Sequence, residues 1–205
     1  MPKVTDEHKE QRKREIVDAC EKIYTEKGFY GVTIKEISTA TSFTRPAIYT
    51  YFETKDEILL ALLIREYEKW CGALAYAVTQ IDGNRESAAE LLAHTLDGRE
   101  MMLRLQNMNL YEIEENSRVE HLAQFKLCLQ NALCLLTDAV KAYCPQASNK
   151  ECDSFCIQFS GFLLGVYPFA FHTTKQIKAM ELINMRPLHT TIYELVYQCL
   201  VKLLP

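Results

Sequence analysis

The chain has 205 residues, 48% of them hydrophobic, and a formal net charge of −4. That length accommodates one compact domain, or a small domain with a larger one, and a substantial core. A negative net charge excludes a protein that holds polyanions through an overall basic coat, and only seven glycines and six prolines favour helices joined by short connections.

The charge is unevenly divided. Residues 1–55 carry ten Lys and Arg against nine Asp and Glu, whereas residues 56–205 carry 13 against 18. A nearly neutral head on an acidic body suits DNA contact through a few placed cations. In chain order, the spacing predicts a first helix over 7–27, with Ile16, Ala19, Cys20 and Ile23 inward and Gly28 as its stop. Two short helices follow at 34–40 and 45–51. Thr33 caps the first, with Glu36 completing a capping box. Thr44 caps the second, with Pro46 in its first turn, and Thr54, boxed by Glu57, caps a third start. Thr41, Ser42 and Phe43 make the turn. Ile34, Ile37, Ile48 and Phe52 point inward, leaving Arg45, Ala47, Thr50 and Tyr51 on the outer face with Tyr49 at its edge. A short helix, a tight turn and a second short helix is the helix-turn-helix layout.

From Thr54 a helix runs to about 80, roughly 40 Å at ~1.5 Å per residue. Further helices are predicted at 86–97, from 99 to 107 or 111, at 118–144, at 149–172, a short one over 175–185, and a last at 188–204. The acidic run 112–115 reads as a loop. The segment 155–171 is apolar nearly all round. It sits at the lower limit of a membrane span and carries Gln158, Ser160 and Pro168, so it is read as a fully buried helix and no membrane is assigned. The charged N-terminus and eight cysteines without a Cys-x-x-Cys spacing are expected of a cytoplasmic protein with reduced thiols. No phosphate-binding glycine loop, Gly-x-Ser-x-Gly or His-Glu-x-x-His occurs, so no enzyme, cofactor or metal is assigned.

Gly28-Phe29-Tyr30-Gly31-Val32-Thr33, then Ile37, then Thr44 to Phe52 and Lys55 resemble the N-terminal DNA-binding domain of the tetracycline-repressor (TetR) family over roughly residues 10–62. Ser42 stands in the interhelix turn where that family usually has Gly, and Pro46 where it has a small residue. The resemblance implies an all-α protein with a three-helix head at 1–53. A long fourth helix would join it to a helical effector-binding and dimerisation domain at 54–205. It implies a ligand-responsive regulator, read here as a homodimeric repressor on a near-palindromic double-stranded operator. Arg45 would reach a base edge or a phosphate. Thr44, Ala47 and Thr50 would meet bases, beside Pro46, while Tyr49 and Tyr51 would meet phosphate or sugar, and Thr33 and Lys55 would receive phosphate. Arg12, Lys13 and Arg14 would add charge.

The last two long helices fall where the family dimerises. Gly161 and Gly165 permit close approach, and Phe155, Phe169, Leu188, Ile192, Leu195 and Cys199 complete the expected interface. A pocket for an unknown small apolar or aromatic effector is drawn from Tyr67, Trp70, Met101, Met102, Leu105, Met108, Tyr111, Phe125, Phe159, Phe162 and Tyr167, residue types that also build ordinary cores. Two other readings are a thiol sensor acting through Cys152 or Cys156, and a helical metabolite-binding protein whose head docks on protein.

Overall fold

The computed structural model describes residues 6–187 and 189–205, and these form helices and turns without a strand. Two compact units emerge. The first ends at Arg65 and takes back Asn109–Leu127; the second comprises Glu66–Met108 and Cys128–Pro205. Among the described residues no single helix is long and apolar enough to cross a membrane.

The first unit holds α1 (Asp6–Lys27), a 3-10 turn (Phe29–Gly31), α2 (Ile34–Ala40) and α3 (Arg45–Tyr49). It also takes the start of α4 (Lys55–Val78), the end of α6 (Glu100–Glu115) and the start of α7 (Val119–Tyr143). Ile16, Cys20 and Ile23 of α1, Ile37, Ile48 and Phe52, and Ile58, Leu59 and Leu62 of α4 are all closed to solvent. α1 stops at Gly28, whose φ of 70° takes the left-handed conformation that terminates helices. Its N–H donates to Tyr24 O at 2.9 Å. Arg65 pairs with Asp18 and, at 2.8 Å, with Glu21, fastening α4 to α1.

Four local expectations need correction. The acidic run at 112–115 is helical and closes α6, because Ile113 is fully buried there and Tyr24 Oη donates to Asn109 Oδ1 at 3.0 Å. The recognition helix ends at Tyr49, two residues early; the chain turns there, with both Tyr51 N and Phe52 N donating to Ile48 O. Thr33 accepts from Glu36 N at 3.1 Å, but the Glu36 carboxylate turns to Lys27 Nζ at 2.5 Å and does not close a box. The last helix starts at Ile192, where Thr191 and Glu194 form a reciprocal capping box; Leu188 lies outside the described residues.

The second unit adds α5 (Arg85–His94), α8 (Asn149–Ala170), α9 (Thr174–Leu182) and α10 (Ile192–Leu203), with α10 against both α5 and α8. Polar groups pin this core. Trp70 Nε1 donates to Thr95 Oγ1 at 2.9 Å, and that hydroxyl donates on to Leu92 O at 2.6 Å. Tyr67 Oη donates to Gln106 Oε1 at 2.8 Å, while Gln106 Nε2 donates to Leu163 O at 3.0 Å. Pro168 inside α8 lacks the N–H that Leu164 O would otherwise receive. Asn107 Nδ2 supplies a donor to that carbonyl at 2.5 Å. α8 is not the fully buried helix expected: Phe155, Cys156, Phe159, Leu163 and Val166 face inward, whereas Ile157, Gly161, Leu164 and Phe169 are exposed.

The sole tryptophan reports on this core. Thr95→Val keeps the shape but leaves the buried indole N–H without its acceptor, so it should cost about 1–3 kcal/mol. Urea unfolding followed by tryptophan emission should give a lower midpoint and an altered native emission maximum.

Candidate nucleic-acid interface

The α2–turn–α3 unit is held by its own small polar residues. Ser38 Oγ donates to Phe43 O at 2.8 Å, and Thr41 Oγ1 donates to Ile37 O at 2.9 Å while accepting from Phe43 N at 3.3 Å. The N–H and hydroxyl of Ser42 both reach Glu15 Oε1 on α1. Among the described non-glycine residues only Asn184 has a left-handed φ, so the turn makes no demand for glycine at 42. Thr44 opens α3 in extended conformation and accepts from Ala47 N at 3.4 Å, with Pro46 in the first turn.

Burying Ile48 and Phe52 fixes which way α3 faces. Thr33, Thr44, Arg45, Pro46, Tyr49 and Thr50 are exposed; Ala47 and Tyr51 are half-buried. Thr50 Oγ1 donates to Ala47 O at 2.7 Å, so its hydroxyl is left to accept. Lys55 departs from an outward phosphate contact: its Nζ sits 3.8 Å from the centroid of the Phe29 ring and 6.0 Å from that of Tyr30. The Arg12 guanidinium likewise lies over Phe43, at 5.8 Å.

Behind this face lies a charge cluster that the sequence did not reveal. Glu57, fully buried in the first turn of α4, accepts from Arg118 Nε at 2.6 Å and Arg118 Nη2 at 2.9 Å, a two-pronged pair. Its carboxylate also accepts from Arg118 N at 3.2 Å and Glu53 N at 2.7 Å. Arg118 pairs with Glu53 at 3.0 Å and reaches Tyr51 O at 3.5 Å, two residues beyond the end of α3. Thr54 Oγ1 donates to Asn116 O at 3.0 Å, and His121 meets the Phe52 ring edge-on at 6.0 Å. Burial opposes the charge on Glu57, but the bonds from Arg118 and the two backbone N–H groups outweigh it and hold the carboxyl below its ordinary 4.5. Next door, burial pushes Asp56 upward, and its Oδ1 has no hydrogen-bond partner among the described residues.

Residues 16–62 match the family described as bacterial regulatory proteins, tetR family, and residues 64–204 match the tetracyclin repressor-like C-terminal domain. The chain belongs to the TetR family. It is 29% identical over 104 residues to the HTH-type transcriptional regulator YfiR of Bacillus subtilis, covering 44% of this chain and 51% of that one. It is 32% identical over 69 residues to the HTH-type transcriptional repressor Rv1474c of Mycobacterium tuberculosis, covering 34% and 37%. The chain thus spans about half or less of the length of these relatives. In fold it is similar to the fatty acid degradation regulator FadR of Bacillus halodurans (TM-score 0.62, 16% identity, 94% of each chain covered). It is also similar to SmeT, repressor of the Stenotrophomonas maltophilia efflux pump SmeDEF (TM-score 0.52, 17% identity, 93% and 88% covered).

In this TetR-family chain the expected effector residues divide between the interior and the surface. Tyr67, Trp70, Met102, Leu105 and Phe159 are buried in the core of the second unit; Met101, Phe162 and Tyr167 are half-buried. Met108 is exposed. Tyr111, also exposed, and Phe125, buried, belong to the first unit. Two open cavities have linings that share only Phe162 with that set. One of about 450 Å³ runs between α7 and α8, lined by Leu133, Cys134, Thr137, Asp138, Asp153, Cys156 and Ile157 with Gln130. The other, about 360 Å³, is lined by Gly161, Phe162, Gly165, Val166, Phe169 and Leu195 on α8 and α10. Of the expected dimer residues, Gly161 and Phe169 are exposed, and Gly165, Leu195 and Cys199 are half-exposed. Phe155 and Ile192 instead face the chain's own core and offer little to a partner. Cys152 is enclosed, and burial pushes the Cys156 thiol up despite its contact with Thr137 Oγ1 at 3.5 Å.

The Glu57 carboxyl, depressed in the folded state, contributes stability above pH 4.5 that is lost as pH falls through its folded value. Asp56, raised, acts in the opposite sense. Denaturation midpoints of wild type and Glu57→Gln should therefore differ most at neutral pH and converge as the solution is acidified below 4.5.

Proposed function

We propose that this chain is a homodimeric repressor that holds a near-palindromic operator and releases it when a small apolar or aromatic molecule binds its second unit. The observation that carries this reading is the outer face of α3. Arg45, Thr44, Tyr49 and Thr50 are solvent-exposed on a helix whose rotation is fixed by buried Ile48 and Phe52. Arg45 has no ion pair among the described residues and is available to a guanine edge or a phosphate. Ala47 suits a thymine methyl. Tyr49 and Tyr51 suit the sugar-phosphate backbone, Thr33 supplies a helix N-terminus to phosphate, and Pro46 stiffens the start of the reading helix without offering an N–H. Lys55, occupied by Phe29, serves better as a clamp on the head than as a phosphate hand.

Support for a two-fold partner comes from the exposed strip of α8. Gly161, Leu164 and Phe169 leave apolar surface open, beside the cavity shared with Leu195 of α10. Two-fold symmetry would set two recognition helices about one DNA turn, ~34–36 Å, or somewhat more apart. Effector action is then a population shift, limited by the ligand's preference for the conformer that does not fit the operator.

Selection from random duplexes should enrich a near-palindrome, and enrichment of none would sink this reading. On the selected site, Arg45→Ala should lower affinity by about tenfold or more at unchanged thermal stability. Log affinity should also fall linearly with log salt, with a slope set by the phosphates engaged.

A further inference from the structure

α9 is a helix without a core of its own. None of its residues is buried, and it leaves α8 through a bend of 72°. Ile177 and Met180 share one stripe, and Leu182 and Ile183 at its end are 86% and 70% exposed. Between residues 171 and 187, Lys175, Lys178 and Arg186 are exposed against a single acid, Glu181. The same unit has an opening of the opposite character. The 450 Å³ cavity between α7 and α8 sets exposed Asp138 and Asp153 beside apolar Leu133 and Ile157, the latter 73% exposed. An apolar helix flanked by cations complements an apolar cavity flanked by carboxylates.

Within one chain the two lie at opposite ends of α8. Cys156, in the cavity wall, and Ala170, just before α9, are ~20 Å apart along the helix at ~1.5 Å per residue. We propose that α9 of one subunit covers the α7–α8 cavity of a second copy of this chain, whose own α9 does the same in return. This rests on the homodimer reading and names the segment that completes its interface. A two-fold axis crossing α8 between Gly161 and Gly165, where the helix carries no side chain, runs the two copies of α8 antiparallel. Residue 169 then stands opposite the partner's Ile157, and residue 173 opposite the partner's Asp153. α9 starts at the next position, and its bend carries it off α8 and over the partner's cavity. There Ile177 and Met180 meet the apolar wall, while Lys175 and Lys178 meet the partner's Asp138 and the partner's Asp153. Charge selects a second copy over a lipid surface. Residues 56–205 carry 18 acids against 13 bases, and a body of that sign is repelled by an anionic bilayer.

The test uses two full-length chains, co-expressed. One carries Thr174→Cys, at the exposed first position of α9, together with Cys134→Ser; the other is wild type and keeps Cys134, which is exposed in the cavity wall. A link from position 174 to Cys134 can then form only between subunits. Treatment with a short bismaleimide and peptide mapping should give it as the dominant link from position 174. Lys175→Glu with Lys178→Glu in the first chain should lower its yield about fivefold, and Asp138→Lys with Asp153→Lys in the second should restore it. Sedimentation of the untreated wild type separates the two readings. A monomer at micromolar concentration overturns the homodimer and the α9 placement together. A dimer without the link, or with a link indifferent to the charge reversals, overturns the placement alone. A dimer that gives no link and binds phosphatidylglycerol vesicles assigns α9 to a lipid surface and overturns the placement as well.

Discussion

Glu57 is a charged side chain enclosed in protein, and the head of this molecule is arranged around making that tolerable. A carboxylate removed from water costs several kcal/mol unless its oxygens are filled. Here four donors fill them, three from Arg118 and one from the backbone of Glu53. The guanidinium remains partly in solvent, so half of the pair keeps its hydration while the other half gives it up. Through Arg118 the start of α7 reaches the carbonyl of Tyr51, and through Thr54 it gains the carbonyl of Asn116. The trailing end of the reading helix is therefore held by groups from a segment more than sixty residues downstream, all within the first unit.

Most of the head was legible because its determinants are local. Thr33, Thr44 and Thr54 each cap at the positions their spacing indicated, and the inward stripe of Ile37, Ile48 and Phe52 is set by helical periodicity. The box expected at Glu36 failed for a reason no local rule contains: Lys27, nine residues back, competes for its carboxylate. The Arg118 cluster was invisible for the same reason, since Glu57 reads as an ordinary first-turn acid until its partner 61 residues away is known. The end of α6 was misread because four consecutive acidic or apolar residues carry no period, and one buried isoleucine decided the matter.

In the body, composition was a poorer guide. Of the side chains drawn as a pocket, Met102, Leu105 and Phe159 fill the core of the second unit, and Tyr67 and Trp70 pin it through Gln106 and Thr95. α8 was read as buried because its sequence is apolar on every side, yet one face is open. An apolar surface says that something covers it, and a single chain's sequence does not say what. Tyr67 and Trp70, edge-on to each other at 5.7 Å, sit where α4 contributes to this core, so ligand-driven rearrangement there would have to break hydrogen bonds as well as repack rings.

Pro168 leaves one carbonyl of α8 without its own helix's N–H, and the neighbouring amide of Asn107 takes that bond while Gln106 holds the carbonyl just before it. Two adjacent amides gripping two adjacent carbonyls set a register between α6 and α8, as teeth do on a rack. Slippage by a single residue would strand both amides at once. Motion in this unit must then carry the distal half of α8 and the Gln106 turn of α6 as one piece, leaving bending to whatever lies on either side.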